Sequence, residues 1–428
     1  MKKAVLVPPT ISYDGIMDLL MDQNICSTAD EFNKLYYHWE NVYYHTDDND
    51  LAIKIWTVMK FKRQMSCTHL DFCGMDLKYN IPPKFIELLN YIDRDSAGHT
   101  DIQLPGGRDG KRFLLSSMME EAIASSQLEG ASVTRKDAKN MLNTKKDPRN
   151  IDERMILNNY LAMIAVKEHL NVELSPELIK FFHKTITNKT IKYGSDWEGK
   201  FRESNDVVVG DPLEMDIVYH VPPNYEKIPE LISQLCEFAN RDEPYVHPIL
   251  KAIILHYLIG YIHPFVDGNG RLARSLFYWY AIKKGYWLLE YTTVSAIIKN
   301  SKTKYGKAYQ YTESDDLDLT YFMDFNLDCI KKSIDSLYAY LKRKTAEQDE
   351  IIEIIGNDTD LSLMEITLLR KQIKRQDIFS IYDVKNEYNV SYQTARKHVN
   401  HLLDLGYLNK IGKNGKQDLF RITNKLPN

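Results

Sequence analysis

The sequence predicts a mainly α-helical protein with a short β-hairpin and a small separate unit at its C-terminal end. Apolar residues recur at three- and four-residue spacing over long stretches, as they do on the buried face of a helix. The clearest of these stretches are residues 152–168, 176–187, 226–240, 246–262 and 271–284. Strand signals, by contrast, are few. With 428 residues the chain is long enough for more than one domain.

Three segments follow from changes in pattern along the chain. Residues 1–110 are rich in Tyr and are expected to pack on the core as a helical or irregular region, where they could contribute to a homodimer. Residues 111–346 form the helical middle, in which 317–346 predicts one long helix. Residues 347–428 form the smaller C-terminal unit.

Composition argues against several classes of protein. The five Cys are scattered and include no CxxC pair, so a disulfide framework and a structural zinc site are both unexpected. A run of about 18 apolar residues, which a membrane-spanning helix needs, is not present. The apolar run near the N-terminus is short and ends at Pro8-Pro9, unlike an export signal. We therefore expect a cytoplasmic protein with no membrane partner.

The segment HPFVDGNGRLAR, residues 263–274, has the residue types of an anion-binding loop. An apolar helix runs up to His263, and Pro264 ends it because Pro cannot continue the helical hydrogen bonds. Gly268 and Gly270 allow a ligand to approach the main chain closely. A second helix begins at about 270–271, and the free N–H groups at a helix N-terminus favour an anion.

Charged and titratable residues of the same loop extend this interpretation. Arg271 and Arg274 are three residues apart, on one face of the first helical turn, and two guanidinium groups there fit a di- or triphosphate. Asp267 is a hard oxygen ligand suited to Mg²⁺ beside those phosphates. His263 is a titratable base at the mouth of the site.

This loop resembles the signature of the Fic family, HPFx[D/E]GNGRxxR, at every defined position. The resemblance extends over roughly 110–330 and includes the helix FLLSSMMEEAIASSQLEGA and the segments GKFRESNDVVVG and YHVPP. It implies an all-α core with a β-hairpin flap, and it implies nucleotidyl transfer, usually of AMP from ATP to a Ser, Thr or Tyr hydroxyl of a protein.

Carried over position by position, the resemblance gives each loop residue a role. It implies that His263 takes the proton from the target hydroxyl and that Asp267 holds Mg²⁺ against the α- and β-phosphates of ATP. The residues it assigns to the phosphates are Gly268, Asn269, Gly270 and Arg271, with Arg274 at the γ-phosphate.

An inhibitory segment is implied upstream, on a helix expected over about 113–130. Ser125 and Glu129-Gly130 match the spacing of the Fic inhibitory motif (S/T)xxxE(G/N). The resemblance implies that Glu129 forms a salt bridge with Arg274 and so keeps ATP in an unproductive pose. The same Glu could activate a water for removal of AMP.

The expected hairpin lies at about 206–221. VVVG at 207–210 and IVYHV at 217–221 are the strand signals, and Asp211-Pro212 between them is a turn former. As the flap implied by the resemblance, it would align a target segment by strand addition. An ordinary structural hairpin is the alternative. The acidic tip DPLEMD favours a basic or polar target.

The C-terminal unit resembles a winged helix-turn-helix over residues 380–421. Its second helix would present side chains to a DNA groove, namely Tyr392, Gln393, Thr394, Arg396 and Lys397, and the wing would carry Lys410, Lys413 and Lys416. Residues 361–428 hold 12 Lys and Arg against 6 Asp and Glu, whereas the whole chain has a net charge of −4. A protein-interaction or dimerisation module is the alternative.

Other functions remain compatible with these residues. One is a DNA-binding regulator whose Fic core only senses a ligand, although an intact His263 and Arg274 argue against it. Another is a transferase that uses a different donor, such as UTP or CDP-choline, because the loop contacts phosphates rather than the base. Self-AMPylation on a Tyr, Ser or Thr is an expected by-product.

Overall fold

The structure is a computed structural model that describes residues 5–98, 107–192, 194–210, 218–355, 361–375, 377–388, 390–415 and 417–423. The chain divides into two compact units, Met1–Leu337 and Tyr338–Asn428. Both units are mainly helical, as the sequence predicts. No helix in these ranges is long and apolar enough to cross a membrane.

The N-terminal part of the first unit is more regular than the sequence suggests. Its helices are α1 (Ile16–Met21), α2 (Gln23–Lys34), α3 (Trp39–Tyr44), α4 (Asn49–Gln64) and α5 (Pro83–Ser96). The strands β1 (Thr68–Phe72) and β2 (Met75–Tyr79) form an antiparallel hairpin between α4 and α5. Local signals support these helices, since Asp22 caps the N-terminus of α2 and Asp48 that of α4 with side-chain hydrogen bonds.

Nine further helices lie within the first unit in the described ranges, and a tenth, α15 (Thr320–Ile355), runs from the first unit into the second. The nine are α6 (Gly107–Leu128), α7 (Arg135–Thr144), α8 (Ile151–Glu168), α9 (Pro176–Thr187), α10 (Ile228–Asn240), α11 (Pro248–Ile262), α12 (Asn269–Lys283), α13 (Val294–Asn300) and α14 (Lys302–Ser314). Short 3₁₀ helices lie at Ser195–Trp197, Tyr225–Lys227 and Trp287–Tyr291.

The long helix α15 continues past the predicted domain boundary at 346/347. The segment KRKTAEQDE contains neither Gly nor Pro, and Lys, Arg, Ala, Glu and Gln are good helix formers, so nothing local ends the helix there. The division between the two compact units falls within this helix, between Leu337 and Tyr338.

Helices α11 and α12 form the centre of the first unit. Nearly every residue of α11 is buried, including Ile253, Leu255 and Tyr257, so this helix is surrounded by protein rather than lying on the surface. Leu272 and Trp279 of α12 are likewise fully buried. The loop between the two helices is thus held at both ends by the core.

A short antiparallel hairpin precedes α10. Its strands are β3 (Val209–Gly210) and β4 (Val218–His220), and Val209 pairs with His220. These strands are shorter than the runs that the sequence indicates. The predicted acidic tip at 211–216 lies outside the described residues.

The second unit contains a three-stranded sheet beside three helices. The elements that follow α15 are, in chain order, α16 (Leu363–Arg375), β5 (Phe379–Ser380), α17 (Ile381–Tyr388), α18 (Tyr392–Asp404), β6 (Leu408–Asn414) and β7 (Gln417–Ile422). The sheet is antiparallel with the order β5–β7–β6. Leu368, Val399 and Phe420 belong to the apolar core of this unit.

Candidate active site

The loop 263–274 begins with a strained residue. α11 ends at Ile262, and His263 adopts the left-handed conformation with φ 48° and ψ 57°. A non-glycine residue in this region costs about 1–3 kcal/mol and is held there by its surroundings, often at a functional site. Pro264 follows and prevents the helix from continuing. The turn therefore points the His263 side chain away from the path of α11.

The imidazole of His263 is prepared to act as a base. Its Nδ1 lies 3.2 Å from the carbonyl oxygen of Gly260, so the tautomer that makes this hydrogen bond carries its proton on Nδ1 and leaves Nε2 free to accept one. Burial lowers the pKa of His263 to about 4. The ring is consequently neutral at physiological pH.

Asn269 closes the loop rather than facing a ligand with its side chain. Its Oδ1 accepts a hydrogen bond from the backbone N–H of Phe265 at 3.0 Å, and its Nδ2 donates to the carbonyl of the same residue at 2.8 Å. As the first residue of α12, Asn269 has a backbone N–H that lacks an intrahelical partner. Any contribution of Asn269 to phosphate binding would come from this N–H.

Gly268 is required at its position for two reasons. Its φ is 83°, in the left-handed region, and a Cβ there would lie 2.6 Å from Cγ2 of Thr187 on α9. Gly270 is restricted by a different neighbour, because a Cβ on it would collide with Oε1 of Glu129. The Glu129 carboxylate thus lies directly over the N-terminal turn of α12, where an anion would bind.

His183 on α9 contacts the loop at Phe265 and Asp267, and sequence patterns did not predict this role. Its ring is stacked on Phe265 with centroids 3.6 Å apart. Its Nε2 donates to the carbonyl oxygen of Asp267 at 2.8 Å, while its Nδ1 accepts from the backbone N–H of Gly199 at 3.0 Å. Burial lowers the pKa of His183 to about 4, so this role uses the neutral ring.

Arg271 is buried beside the loop with unused hydrogen-bonding capacity. Its Nη1 donates to the carbonyl of Ile186 at 3.3 Å, and its Nη2 lies 3.6 Å from Oδ1 of Asp267. Its Nε is buried with no hydrogen-bond partner in the described part of the chain. A buried donor of this kind is costly unless a ligand satisfies it.

Arg274 is joined to the end of α6. Its Nε donates to Oγ of Ser125 at 3.0 Å, and its Nη2 donates both to the carbonyl of Ser125 at 3.1 Å and to Oε1 of Glu129 at 2.9 Å. Its Nη1 is also without a hydrogen-bond partner among the described residues. Although burial lowers the pKa of Arg274, Glu129 and the nearby Tyr305 raise it to a net value above the usual one.

Glu129 lies just beyond the end of α6, which stops at Leu128, and Gly130 after it has a φ of 101°. Burial raises the pKa of Glu129, but Arg274 and Arg271 lower it by more, so its net pKa is below the usual range. The carboxylate is therefore charged at neutral pH. The structure brings together Ser125, Glu129 and Arg274, which are far apart in the sequence.

Asp267 is the more exposed member of the loop, with a side chain that is 47% exposed. Its Oδ1 accepts a hydrogen bond from the backbone N–H of Gly268 at 2.6 Å. No group of three or more His, Cys, Asp or Glu in the described ranges is arranged to hold a metal ion. A single accessible carboxylate fits Mg²⁺ only where phosphate oxygens and water complete its coordination.

Arg202, which the sequence did not single out, connects the loop to the flap. Its backbone N–H donates to the carbonyl of Pro264 and its Nε to that of His263, each at 2.9 Å. Its Nη1 donates to the carbonyl of Ser204 at 2.8 Å, and its Nη2 to that of Pro223. The only sequence signal was its place in GKFRESNDVVVG. Arg202 thus joins the turn at His263 and Pro264 to the segments on both sides of the β3–β4 hairpin.

The strand β4 is anchored to the same helix that carries His263. Nε2 of His220 lies 2.7 Å from the carbonyl oxygen of Tyr261, and its Nδ1 lies 2.9 Å from Oε2 of Glu313 on α14. Strand β4 is therefore attached to the C-terminal end of α11, next to the turn at His263. The predicted site residues of the loop and of the inhibitory segment all lie around this one turn.

A family comparison agrees with this geometry. Residues 173–281, which contain α9, the hairpin, α11 and most of α12, match the model of the Fic/DOC family. Residues 173–281 therefore resemble a Fic/DOC domain. Their fold and loop are those that the sequence predicts for such a domain.

Relatives of known name share the Fic domain at modest identity. The chain is 27% identical over 256 residues to the protein adenylyltransferase Fic of Drosophila willistoni, a match that covers 58% of this chain and 46% of that protein. It is 28% identical over 231 residues to the protein of the same name from Drosophila virilis, covering 52% and 42%. The chain thus spans less than half the length of these relatives.

Solved Fic structures share the fold. A Fic family protein from Desulfovibrio desulfuricans superposes with a TM-score of 0.54 at 19% identity, covering 81% of this chain and 98% of that chain. Fic-1 from C. elegans superposes with a TM-score of 0.50 at 15% identity, covering 75% and 86%. At these identities the likeness concerns the fold.

Proposed function

We propose that this chain transfers AMP from ATP to a hydroxyl group of a protein side chain, and that Glu129 holds the enzyme in a weakly active state. The observation that carries the proposal is the pair of buried donors without partners, Nε of Arg271 and Nη1 of Arg274, beside the N-terminal turn of α12. Burying a donor without a hydrogen-bond partner destabilises the folded protein, and the phosphate oxygens of a nucleotide would accept hydrogen bonds from both of these donors.

In the proposed reaction the target hydroxyl attacks the α-phosphorus, and its proton passes to Nε2 of His263. The new P–O bond forms as the bond to the β-phosphate breaks, and diphosphate leaves with both electrons. The backbone N–H groups at the start of α12 and the guanidinium of Arg271 stabilise charge on the phosphates. Asp267 would hold a Mg²⁺ that neutralises phosphate charge when nucleotide is bound.

The inhibitory contact acts by competition for the same donors. Glu129 accepts a hydrogen bond from Nη2 of Arg274, and its carboxylate occupies the space above Gly270. A γ-phosphate approaching Arg274 would meet both a donor already in use and a like charge. Productive binding therefore requires Glu129 to move or to lose its charge. The same carboxylate, once displaced, could activate a water for removal of AMP.

The target would be a protein segment that pairs with the flap at about 206–221, and a segment of another copy of the chain would permit self-AMPylation. Pairing through the main chain sets few limits on the target sequence.

A purely ligand-sensing role has less support, since a sensor needs no base and the Nε2 of His263 is kept free. All five Cys are free thiols, which supports a reducing, cytoplasmic location.

Labelling with ATP that carries the label on its α-phosphate tests the proposal. We expect weak labelling of protein by the wild type, much stronger labelling by Glu129→Gly, and none when His263→Ala is added to that variant. Competition by unlabelled UTP and CDP-choline examines the choice of donor. Glu168→Gly, at the exposed end of α8, is the matched control and should resemble the wild type.

Two outcomes would contradict the proposal. One is an absence of labelling by Glu129→Gly from ATP, both on itself and on a mixture of proteins. The other is unchanged labelling after His263→Ala, which would show that the free Nε2 has no part in the reaction.

A further inference from the structure

The second helix of the C-terminal unit, α18, has one buried and one polar side. Ala395, Val399 and Leu402 are fully buried in the core of the unit. The opposite side carries exposed Gln393, Arg396 and Lys397, followed one turn later by half-buried Asn400. These four residues are called here the polar face of α18. None of them is required by the packing of the unit.

The chemistry of the polar face suits the edges of base pairs. All four side chains carry N–H donors, and no Asp or Glu occurs between Glu387 and Asp404. Arg and Lys bind guanine in the major groove, and Asn and Gln bind adenine. In helix-turn-helix proteins the corresponding helix enters the major groove with its N-terminal residues at the bases. Ser391 caps this end of α18 by accepting from the N–H of Thr394 at 3.1 Å.

The hairpin β6–β7 adds positive charge beside this face. Lys410 and Lys413 are exposed, and the hairpin strands contain one acid, Asp418. Asp418 pairs with Lys410 at 2.7 Å, whereas Lys413 lies 3.9 Å away and its side chain is 66% exposed. One carboxylate beside two cations leaves a surplus of positive charge available to phosphates.

The polar face and the hairpin lie on the same side of the unit. The hydrogen bond from Lys410 chiefly lowers the pKa of Asp418, and the charges of Lys413 and of Arg396 contribute as well. Arg396 of α18 is thus close enough to the hairpin to act on its acid. A single duplex could contact both elements at once.

The distribution of charge along the chain localises any such binding. Residues 361–428 carry 12 basic and 6 acidic residues, although the chain as a whole has 55 Lys and Arg against 59 Asp and Glu. An acidic body repels nucleic acid, so attraction would come from this unit alone.

From these observations we propose that the C-terminal unit binds duplex DNA, with the polar face of α18 in the major groove and the cations of the β6–β7 hairpin at the phosphate backbone. A protein partner is less favoured, because the four residues of the polar face are charged or amide side chains and none is an apolar or aromatic anchor, although Tyr392 at the start of α18 and Ile411 on β6 are exposed. The residues involved are all separate from the loop 263–274, so this proposal and the proposed transferase activity can fail independently.

Fluorescence anisotropy with the full chain and a labelled duplex of mixed sequence tests the proposal. Three or four phosphate contacts predict that affinity falls about 100-fold between about 50 mM and about 200 mM salt. The double variant Arg396→Ala, Lys397→Ala should bind at least about tenfold more weakly. Lys413→Ala should reduce the slope of log affinity against log salt by about one.

A matched control removes two positive charges elsewhere. Lys136 and Lys146 are exposed in the first unit, and the variant Lys136→Ala, Lys146→Ala should bind DNA like the wild type. All variants should unfold at the wild-type temperature, since none of the changed side chains is buried. No binding at about 50 mM salt, an equal loss in the control, or tighter binding of single-stranded RNA than of duplex DNA would overturn the proposal.

Discussion

Replacing Glu129 by Gln removes the charge from the proposed inhibitory contact with Arg274 while keeping the volume of the side chain. The carboxylate accepts a 2.9 Å hydrogen bond from a buried guanidinium, but its own side chain is 35% exposed. At an effective dielectric constant of about 20, two such charges attract by about 5 kcal/mol, which solvent at a partly exposed carboxylate screens further. Hydrogen bonds to charged groups contribute about 1.5–3 kcal/mol net.

We therefore assign about 2 kcal/mol to the competition between Glu129 and the γ-phosphate for Arg274, which corresponds to about 30-fold in productive ATP binding. The rate of label incorporation, measured over a range of ATP concentrations, gives kcat/KM for the comparison. Glu129→Gln should raise kcat/KM by about 30-fold. Glu129→Gly, the uninhibited variant, should exceed it, because Gly also removes the oxygen that lies over Gly270.

The control is Glu168→Gln, which makes the same charge change at an exposed position of α8. A rise of less than about threefold for both Glu129 variants is the size expected of an ordinary surface ion pair, and it would refute the reasoning. An equal rise in Glu168→Gln would refute it too, because a change in net charge alone would then explain the effect.

Three further predictions concern the same loop. In the uninhibited variant the neutral ring of His263 is the base, so transfer should persist as pH falls from neutrality to about 4, and a half-loss near the ordinary 6.5 in a single-turnover pH profile would contradict this. Arg202→Lys removes the guanidinium hydrogen bonds that hold the turn at His263, so it should lower kcat about tenfold or more with little change in KM. Arg241→Lys, on the surface, is the control and should change neither kcat nor KM. Gly268→Ala places a side chain on a residue with positive φ and brings its Cβ against the methyl group of Thr187. It should lower the free energy of unfolding by about 2–3 kcal/mol, measured by thermal or urea unfolding. Gly306→Ala, in open space within α14, should instead be neutral or stabilising by up to about 1 kcal/mol, and equal effects of the two substitutions would contradict the structural reason.

The pH behaviour of the inhibitory contact follows from the direction of the Glu129 shift. Because its pKa is lowered in the folded protein, the stabilisation it gives is present above its unfolded value of 4.5 and is lost only as pH falls through the lower folded value. Changes of pH near neutrality leave Glu129 charged. Release of the inhibitory contact at neutral pH therefore requires displacement of the side chain rather than its protonation.

Local patterns in the sequence were sufficient for most of the helices and for the identity of the loop. Ser175 caps α9 and Pro176 occupies its first turn, as their order in the chain indicates. The residue types of HPFVDGNGRLAR predict a turn between two helices because Pro and Gly restrict or free the backbone wherever they occur. The bounds of the early helices were not predicted, because the sequence there is Tyr-rich and weakly periodic, although Asp22 and Asp48 cap two of them.

Tertiary structure decided what the side chains around that loop do. Arg274 and Glu129 are 145 residues apart in the chain, and Arg202 and His263 are 61 apart, so no local period could reveal that they touch. The amide of Asn269 is a natural phosphate ligand by residue type, yet packing commits it to Phe265. The sequence by itself determined that a Gly-rich turn beginning at His263 would form between two helices, because backbone preference is a local property. Which buried donors remain free, and which carboxylate faces them, depends on how distant helices pack, and only the folded chain fixes that.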